Sequence, residues 1–249
     1  MLELTADTRI DLARSGARHG AGLFETIRIH RGRALRLEEH LLRLAHGAAF
    51  LGLDSPPEAF LLEAHLRDHT NISQLPCGVL RLLAVDQSLM VSLAPWQPMR
   101  PARVDIAVGH RVVRRSGNPL TRFKTMAYLE NLLLTREAED RALFEAIALN
   151  EHGRLTDGGR TSLFLVLDGN VLTPPSSEGA LPGIARSVLL QAGLAQEAVL
   201  DVRDLIRSEA VFLTNALHGV VAVNGVEGHL PKDTKHPSLK ACVEALSLT

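Results

Sequence analysis

The chain has 249 residues, 46% of them hydrophobic and 22% charged, with a formal net charge of -1. That length can bury one large core or two smaller ones, and the near-neutral balance gives no sign of a nucleic-acid or acidic-membrane partner. No apolar run approaches the length of a membrane span, and residues 1–18 lack the apolar stretch of a secretory signal. Cys77 and Cys242 have no metal-ligand spacing, no other metal site is evident, and a reduced, cytoplasmic compartment is the plain expectation.

In chain order, residues 24–30 predict a strand closed by turn residues at Arg31, Gly32 and Arg33. Leu37, Leu41, Leu44, Ala45 and Ala48 recur at helical spacing and predict an amphipathic helix. The run Asp54-Ser55-Pro56-Pro57 breaks it and opens another helix. Residues 78–86 and 89–94 predict a pair of strands, and 103–113 a third. The polar run 114–119 is the best linker candidate.

Beyond it, 127–141 predicts a charged helix and 145–150 a short strand. Residues 163–167 and 171–173 read as strands joined by the turn Asp168-Gly169-Asn170. A helix is expected over 183–192, strands over 210–214 and 220–223, and a terminal amphipathic helix over 236–248. Strands and helices mix in both halves. The class is therefore α+β (mixed α/β), with a smaller domain over 1–113, a linker over 114–119 and a larger domain over 120–249.

Local chemistry alone offers fragments. Lys124 follows a turn-rich approach, with Arg122 close in sequence; a desolvated lysine crowded by cations becomes a nucleophile, whereas an ordinary lysine is solvated. Asp157, before Gly158 and Gly159, suits a turn equally well. Residues 181–186 start a helix whose exposed amides suit phosphate, or are a plain Pro-Gly loop. Residues 214–216 close a buried strand.

Taken in order, these pieces resemble one family. They are residues 20–28 (Gly-Ala-Gly-Leu-Phe-Glu-Thr-Ile-Arg), 37–44 (Leu-Glu-Glu-His-Leu-Leu-Arg-Leu), 123–131 (Phe-Lys-Thr-Met-Ala-Tyr-Leu-Glu-Asn) and 136–138 (Arg-Glu-Ala). After them come 148–150 (Ala-Leu-Asn), 155–158 (Leu-Thr-Asp-Gly), 172–174 (Leu-Thr-Pro), 181–186 (Leu-Pro-Gly-Ile-Ala-Arg) and 214–217 (Thr-Asn-Ala-Leu). The chain resembles the fold-type IV pyridoxal 5'-phosphate (PLP) enzymes, which include branched-chain and D-amino-acid aminotransferases and aminodeoxychorismate lyase. The likeness runs from about residue 16 to about residue 227.

The resemblance implies a two-domain fold like that of D-amino-acid aminotransferase, and a homodimer. It implies that Lys124 holds PLP covalently and later moves a proton. Arg28 would contact the cofactor phosphate, a task suited to a permanently charged fork. Backbone amides of Ile184, Ala185, Asn215 and Ala216 would complete the phosphate cup. Tyr128, one helical turn after Lys124, would lie near the phenolic oxygen. Asp157 stands where the family has a glutamate facing the pyridine nitrogen; a carboxylate there keeps the nitrogen protonated. Three departures stand out: aspartate is one methylene shorter, Thr161-Ser162 replaces the common Ser-Asn, and Ala185 replaces a frequent threonine.

Short length, Asn118-Pro119-Leu120 before Lys124, and Asn215-Ala216-Leu217 resemble the lyase pattern. The Arg-Gly signature of many relatives reads Leu83-Ala84-Val85-Asp86 here, so Arg81 becomes the candidate for substrate carboxylate, or else a solvent-facing strand residue. Thr26 is a candidate proton donor, or a threonine chosen for strand propensity. His40 and His110 read as structural or surface residues. The expected reaction is conversion of 4-amino-4-deoxychorismate to 4-aminobenzoate and pyruvate, a step of folate precursor synthesis. The alternatives are an aminotransferase on branched-chain or D-amino acids, and a degenerate PLP binder without turnover.

Overall fold

Residues 1–5, 9–10, 15–98, 103–227 and 232–247 are described by a computed structural model of the chain. Two compact units emerge: Met1–Pro98 with Phe123–Tyr128, and Met99–Arg122 with Leu129–Ser247. This division differs from the expected one at 113 and 120. The strand expected over 103–113 pairs with strands of the second unit, and residues 123–128 are tied to the first unit by main-chain bonds to strand 22–30. Leu248, the end of the expected terminal helix, lies outside the described residues.

The first unit contains β1 (Glu3–Thr5), α1 (Ser15–His19), β2 (Gly22–His30), β3 (Arg33–Ala34), α2 (Leu37–Leu51), α3 (Ala59–His69), β4 (Cys77–Val85) and β5 (Ser88–Pro95). Among the described residues its sheet has five strands, ordered β1-β5-β4-β2-β3. β2 alternates in burial because successive side chains face opposite sides. Leu23, Ile27 and Ile29 enter a core with Leu80, Leu82 and Ala84 of β4 and Leu37, Leu41, Leu44 and Ala48 of α2. Phe24, Thr26 and Arg28 take the other face. Gly52, at a φ of 70°, ends α2 in the left-handed conformation that glycine adopts without a Cβ penalty.

One charged residue of β2 points into this core. Glu25 is 1% exposed and accepts hydrogen bonds from Arg43 through Nε at 2.8 Å and Nη2 at 2.6 Å. His40 Nδ1 lies 2.7 Å from its other side. Burial alone would raise the carboxyl. The Arg43 guanidinium and the hydrogen bonds of His40 and Arg43 outweigh it, bringing Glu25 down to about 2. α2 is thus fastened to β2 by a buried ion pair as well as by leucines. His40, read as structural, is buried within it.

The second unit contains β6 (Asp105–Arg114), α4 (Leu129–Asp140), β7 (Glu145–Asn150), β8 (Leu155–Gly158), β9 (Ser162–Leu167), β10 (Asn170–Thr173), α5 (Ile184–Gln191), β11 (Gln196–Glu197), α6 (Val202–Arg207), β12 (Ala210–Asn215), β13 (Gly219–Ala222), β14 (Gly225–Val226) and α7 (Pro237–Leu246). Its described strands form a sheet ordered β14-β6-β7-β8 and another ordered β11-β10-β9-β12-β13. Ile106, Ile147, Leu155, Leu163, Leu165, Val211 and Leu213 share one core. The opposite face of β9 and β12 carries Phe164 and Phe212, stacked at 4.7 Å, which share a second core with Leu189 of α5 and Leu239 of α7. Every residue of β9 is therefore buried, as a strand covered on both faces must be. The main-chain irregularity of β6 between Val108 and Val113 is held by Glu137 of α4, whose carboxylate accepts the amides of His110 and Arg111.

Candidate active site

Lys124 lies in an irregular segment ahead of α4, which begins only at Leu129. Phe24 N–H donates to the Lys124 carbonyl at 2.9 Å, Met126 N–H donates to Gly22 O at 2.8 Å, and Thr125 bridges Leu23. Edge pairing with β2, not helical spacing, therefore sets where Lys124 and Tyr128 point; the expectation of one helical turn between them is corrected. The ammonium donates to the Tyr128 hydroxyl at 3.0 Å. It also lies 4.3 Å from the Phe24 ring centroid and 4.5 Å from that of Tyr128. Those two rings meet edge to face at 5.0 Å. The amine is thus held by a phenol and two π-faces, an arrangement that shields it from water and fixes its direction. Arg122, expected to crowd it, is exposed in the other unit.

The same face of β2 continues with Thr26 and Arg28. Thr26 pairs directly with Arg81 of β4, which pairs in turn with Ser92 of β5. Opposed residues on one face have Cβ atoms about 5 Å apart, so a hydroxyl and an exposed guanidinium are neighbours there. One row further, the Arg28 guanidinium stacks 5.3 Å from the ring centroid of Trp96. Lys124, Tyr128, Thr26, Arg81 and Arg28 are therefore all brought to the first unit.

The second unit carries the others. Asp157 sits on β8, buried; its Oδ2 accepts the Leu181 amide at 2.9 Å, and its Oδ1 lies 3.5 Å from Nη2 of Arg114. Arg114 is itself buried and donates through Nη1 to Glu130 at 2.8 Å. The turn after Asp157 wraps a second carboxylate. Glu145 accepts from the amides of Gly159 and Arg160 and from the Thr161 hydroxyl. Burial pushes its carboxyl up, against the pull of Arg160 and these donors.

Ile184 and Ala185 form the first turn of α5. No side chain caps that end, so their amides have no partner within the helix. Asn215 closes β12, and its side-chain oxygen accepts the amides of Leu217 and His218, shaping a turn that contains Ala216.

Residues 22–226 match the family described as amino-transferase class IV. The chain belongs to that family. A D-alanine aminotransferase of Bacillus licheniformis is 25% identical over 241 residues, covering 90% of this chain and 85% of its own. A solved branched-chain amino acid aminotransferase of Escherichia coli superposes with a TM-score of 0.81 at 25% identity, covering 95% of this chain and 87% of that one. A proposed 4-amino-4-deoxychorismate lyase of Legionella pneumophila shares the fold, with a TM-score of 0.84 at 23% identity and 98% coverage of both chains. The chain is an enzyme of the PLP-dependent class IV family, with the mixed α/β fold of fold-type IV, and the cofactor of that family is PLP.

The residues present suit that cofactor. The first unit offers an oriented amine beside a phenol. The second offers a buried carboxylate, an uncapped helix start and, behind it, the hydroxyl of Thr214, which is buried with no hydrogen-bond partner among the described residues. Such groups, each within its own unit, suit the parts of an aromatic aldehyde with a phosphate. Sequence reasoning gave no role to three buried polar residues around these groups: Arg114 beside Asp157, Glu145 within the turn that follows it, and Thr214 at the end of β12. Arg114 lay in the presumed linker, although paired arginines before a helix carrying Glu130 were a signal.

Proposed function

We propose that the chain is a PLP-dependent lyase that converts 4-amino-4-deoxychorismate to 4-aminobenzoate and pyruvate, in folate precursor synthesis. The observation that carries this reading is the Thr26–Arg81 row, on the face of β2 that bears Phe24 and Arg28. A guanidinium there suits a substrate carboxylate, and a hydroxyl beside it suits a leaving group that needs a proton.

PLP, when bound, supplies an electron sink for the carbon next to the substrate amine. Lys124 would hold the cofactor through its amine, and as a free base that amine would take the C4 proton of the substrate. Tyr128 orients the Lys124 amine through their hydrogen bond. The C3–O bond then breaks and its electron pair leaves with the enolpyruvyl oxygen. Thr26 delivers a proton to that fragment, which becomes pyruvate. Loss of the C4 proton and the C3 substituent makes the ring aromatic. Arg81 holds a carboxylate throughout, and Asp157 would face the ring nitrogen of the cofactor, a carboxylate being the group that favours its protonated form. Arg28 and the amides of Ile184, Ala185, Asn215 and Ala216 are assigned to the cofactor phosphate. A homodimer belongs to this reading.

The test is pyruvate release from 4-amino-4-deoxychorismate by PLP-loaded protein with no keto acid added. Equal amounts of pyruvate and 4-aminobenzoate support the lyase. No release from PLP-loaded protein refutes it. The aminotransferase relatives favour a second reading, transfer of an amino group from a branched-chain or D-amino acid. That reading requires a keto-acid acceptor, which the same assay omits.

A further inference from the structure

Gly183, Ile184 and Ala185 leave the start of α5 without a hydroxyl of its own. The fold places one nearby. Thr214 is 1% exposed, and its Oγ1 is buried without a hydrogen-bond partner among the described residues. Its cross-strand partner on β9 is Ser162, just as Phe212 faces Phe164 two residues earlier. Thr214, Ser162 and the two phenylalanines therefore share one face of the sheet, because side chains alternate along each strand. That face is the one covered by α5, whose Leu189 packs with Phe164 and Phe212. Ser162 marks where its end lies: a Cβ on Gly183, the residue that caps α5, would come 2.8 Å from Ser162 Oγ. The Thr214 side chain thus lies on the face that α5 covers, beside the Ser162 that approaches Gly183.

An unpartnered buried hydroxyl works against folding, and a valine would give the same branched shape without that cost. Its presence makes sense when a ligand accepts from it. We propose that Thr214 is a ligand of the cofactor phosphate, its hydroxyl donating to the anion held at the start of α5. This rests on the assignment of the 184–185 and 215–216 amides to that phosphate. A hydroxyl donating to a dianion makes a bond stronger than one between neutral groups.

The experiment compares PLP with pyridoxal, which carries the same aldehyde but no phosphate, in wild type, Thr214→Val and Thr214→Ser. Dissociation constants come from absorbance titration, and the melting temperature is measured on the cofactor-free protein. Wild type is expected to prefer PLP strongly. Thr214→Val loses about tenfold or more in PLP affinity, keeps its pyridoxal affinity, and melts at the same or a higher temperature. Thr214→Ser keeps the wild-type PLP affinity. Unchanged PLP affinity in Thr214→Val overturns the proposal. So does an equal loss for both ligands with a lower melting temperature, which marks a structural hydroxyl. Should Thr214→Val not fold, Thr214→Ala against Thr214→Ser makes the same comparison. A wild type that binds both ligands equally refutes the phosphate cup itself, a different failure.

Discussion

Arg43→Met tests the buried ion pair that fastens α2 to β2. In the wild type the carboxyl of Glu25 falls from its ordinary 4.5 to about 2. Holding that proton less tightly when folded is worth about 3 kcal/mol. The sign follows from the direction. A depressed carboxyl stabilises the fold fully above pH 4.5 and loses that contribution as pH falls from 4.5 toward 2. Without Arg43, Glu25 keeps its burial but loses the partner that held it ionised, and a broken buried pair costs about 3–5 kcal/mol. The variant should therefore be less stable by about 3 kcal/mol at pH 7, and the gap should close as pH approaches 2. Trp96 is the sole tryptophan and lies in the first unit, so urea unfolding followed by its fluorescence reports that unit. A gap below about 1 kcal/mol at pH 7, the size of a surface pair, would sink the argument. A gap that stays constant from pH 7 to pH 2.5 would sink it equally, because the charge of Glu25 would then not be its source.

Four further perturbations have defined outcomes. Lys124→Ala should yield no borohydride-stable cofactor adduct on the peptide spanning residue 124, and no pyruvate; an adduct elsewhere would remove Lys124 from its role. Arg81→Met should raise KM about tenfold with little change in kcat, as expected when a carboxylate partner is lost from ground and transition states alike; an unchanged KM would return Arg81 to the solvent-facing reading. Asp157→Asn should still bind PLP by absorbance while pyruvate release falls at least about a hundredfold; near-normal turnover would mean that the ring nitrogen needs no carboxylate here. In Gly159→Ala the new Cβ would lie 2.6 Å from Asn131 O and 2.8 Å from Thr135 Oγ1; a loss of about 1–3 kcal/mol in urea unfolding is expected, and none would mean that the turn shifts freely.

Much of the fold is legible in particular residues. The leucines of 37–44 and the break at residues 54–57 gave α2 its place, and the hairpins 77–95 and 162–173 follow from apolar strands on either side of Asp86-Gln87 and Asp168-Gly169. What escaped is what tertiary partners decide. Residues 155–158 read as a turn because Asp-Gly-Gly is turn composition; they form β8 because β7 pairs with them and the Glu145 carboxylate gathers the amides that follow. Arg114 reads as linker, yet it is buried because Glu130 and Asp157 meet it from elements far along the chain. α6 carried a local signal that was overlooked, the reciprocal cap of Asp201 and Asp204. The motif order singled out Lys124 and Asp157 as candidates, but the neighbour relation of Thr26 and Arg81 needed the register of β2 against β4, which no local pattern supplies.

The departures from the family pattern make sense together. An aspartate at 157 has less reach than glutamate, and in this chain its Oδ2 accepts the amide of Leu181, two residues before the cap of α5. The group assigned to the ring nitrogen therefore also tethers the segment that leads into the phosphate cup. Its charge is balanced by Arg114, whose other nitrogen is held by Glu130, so the carboxylate is set from β6 and α4 as well as from β8. On the far side of the same turn, Thr161 bonds Glu145 and Ser162 meets Gly183. Thr161 thus braces the turn, and Ser162 supports the residue that caps α5. Asp157 and the start of α5 are joined through one hydrogen-bonded segment, so on the proposed assignment a substitution that moves Asp157 should weaken phosphate binding as well as proton transfer.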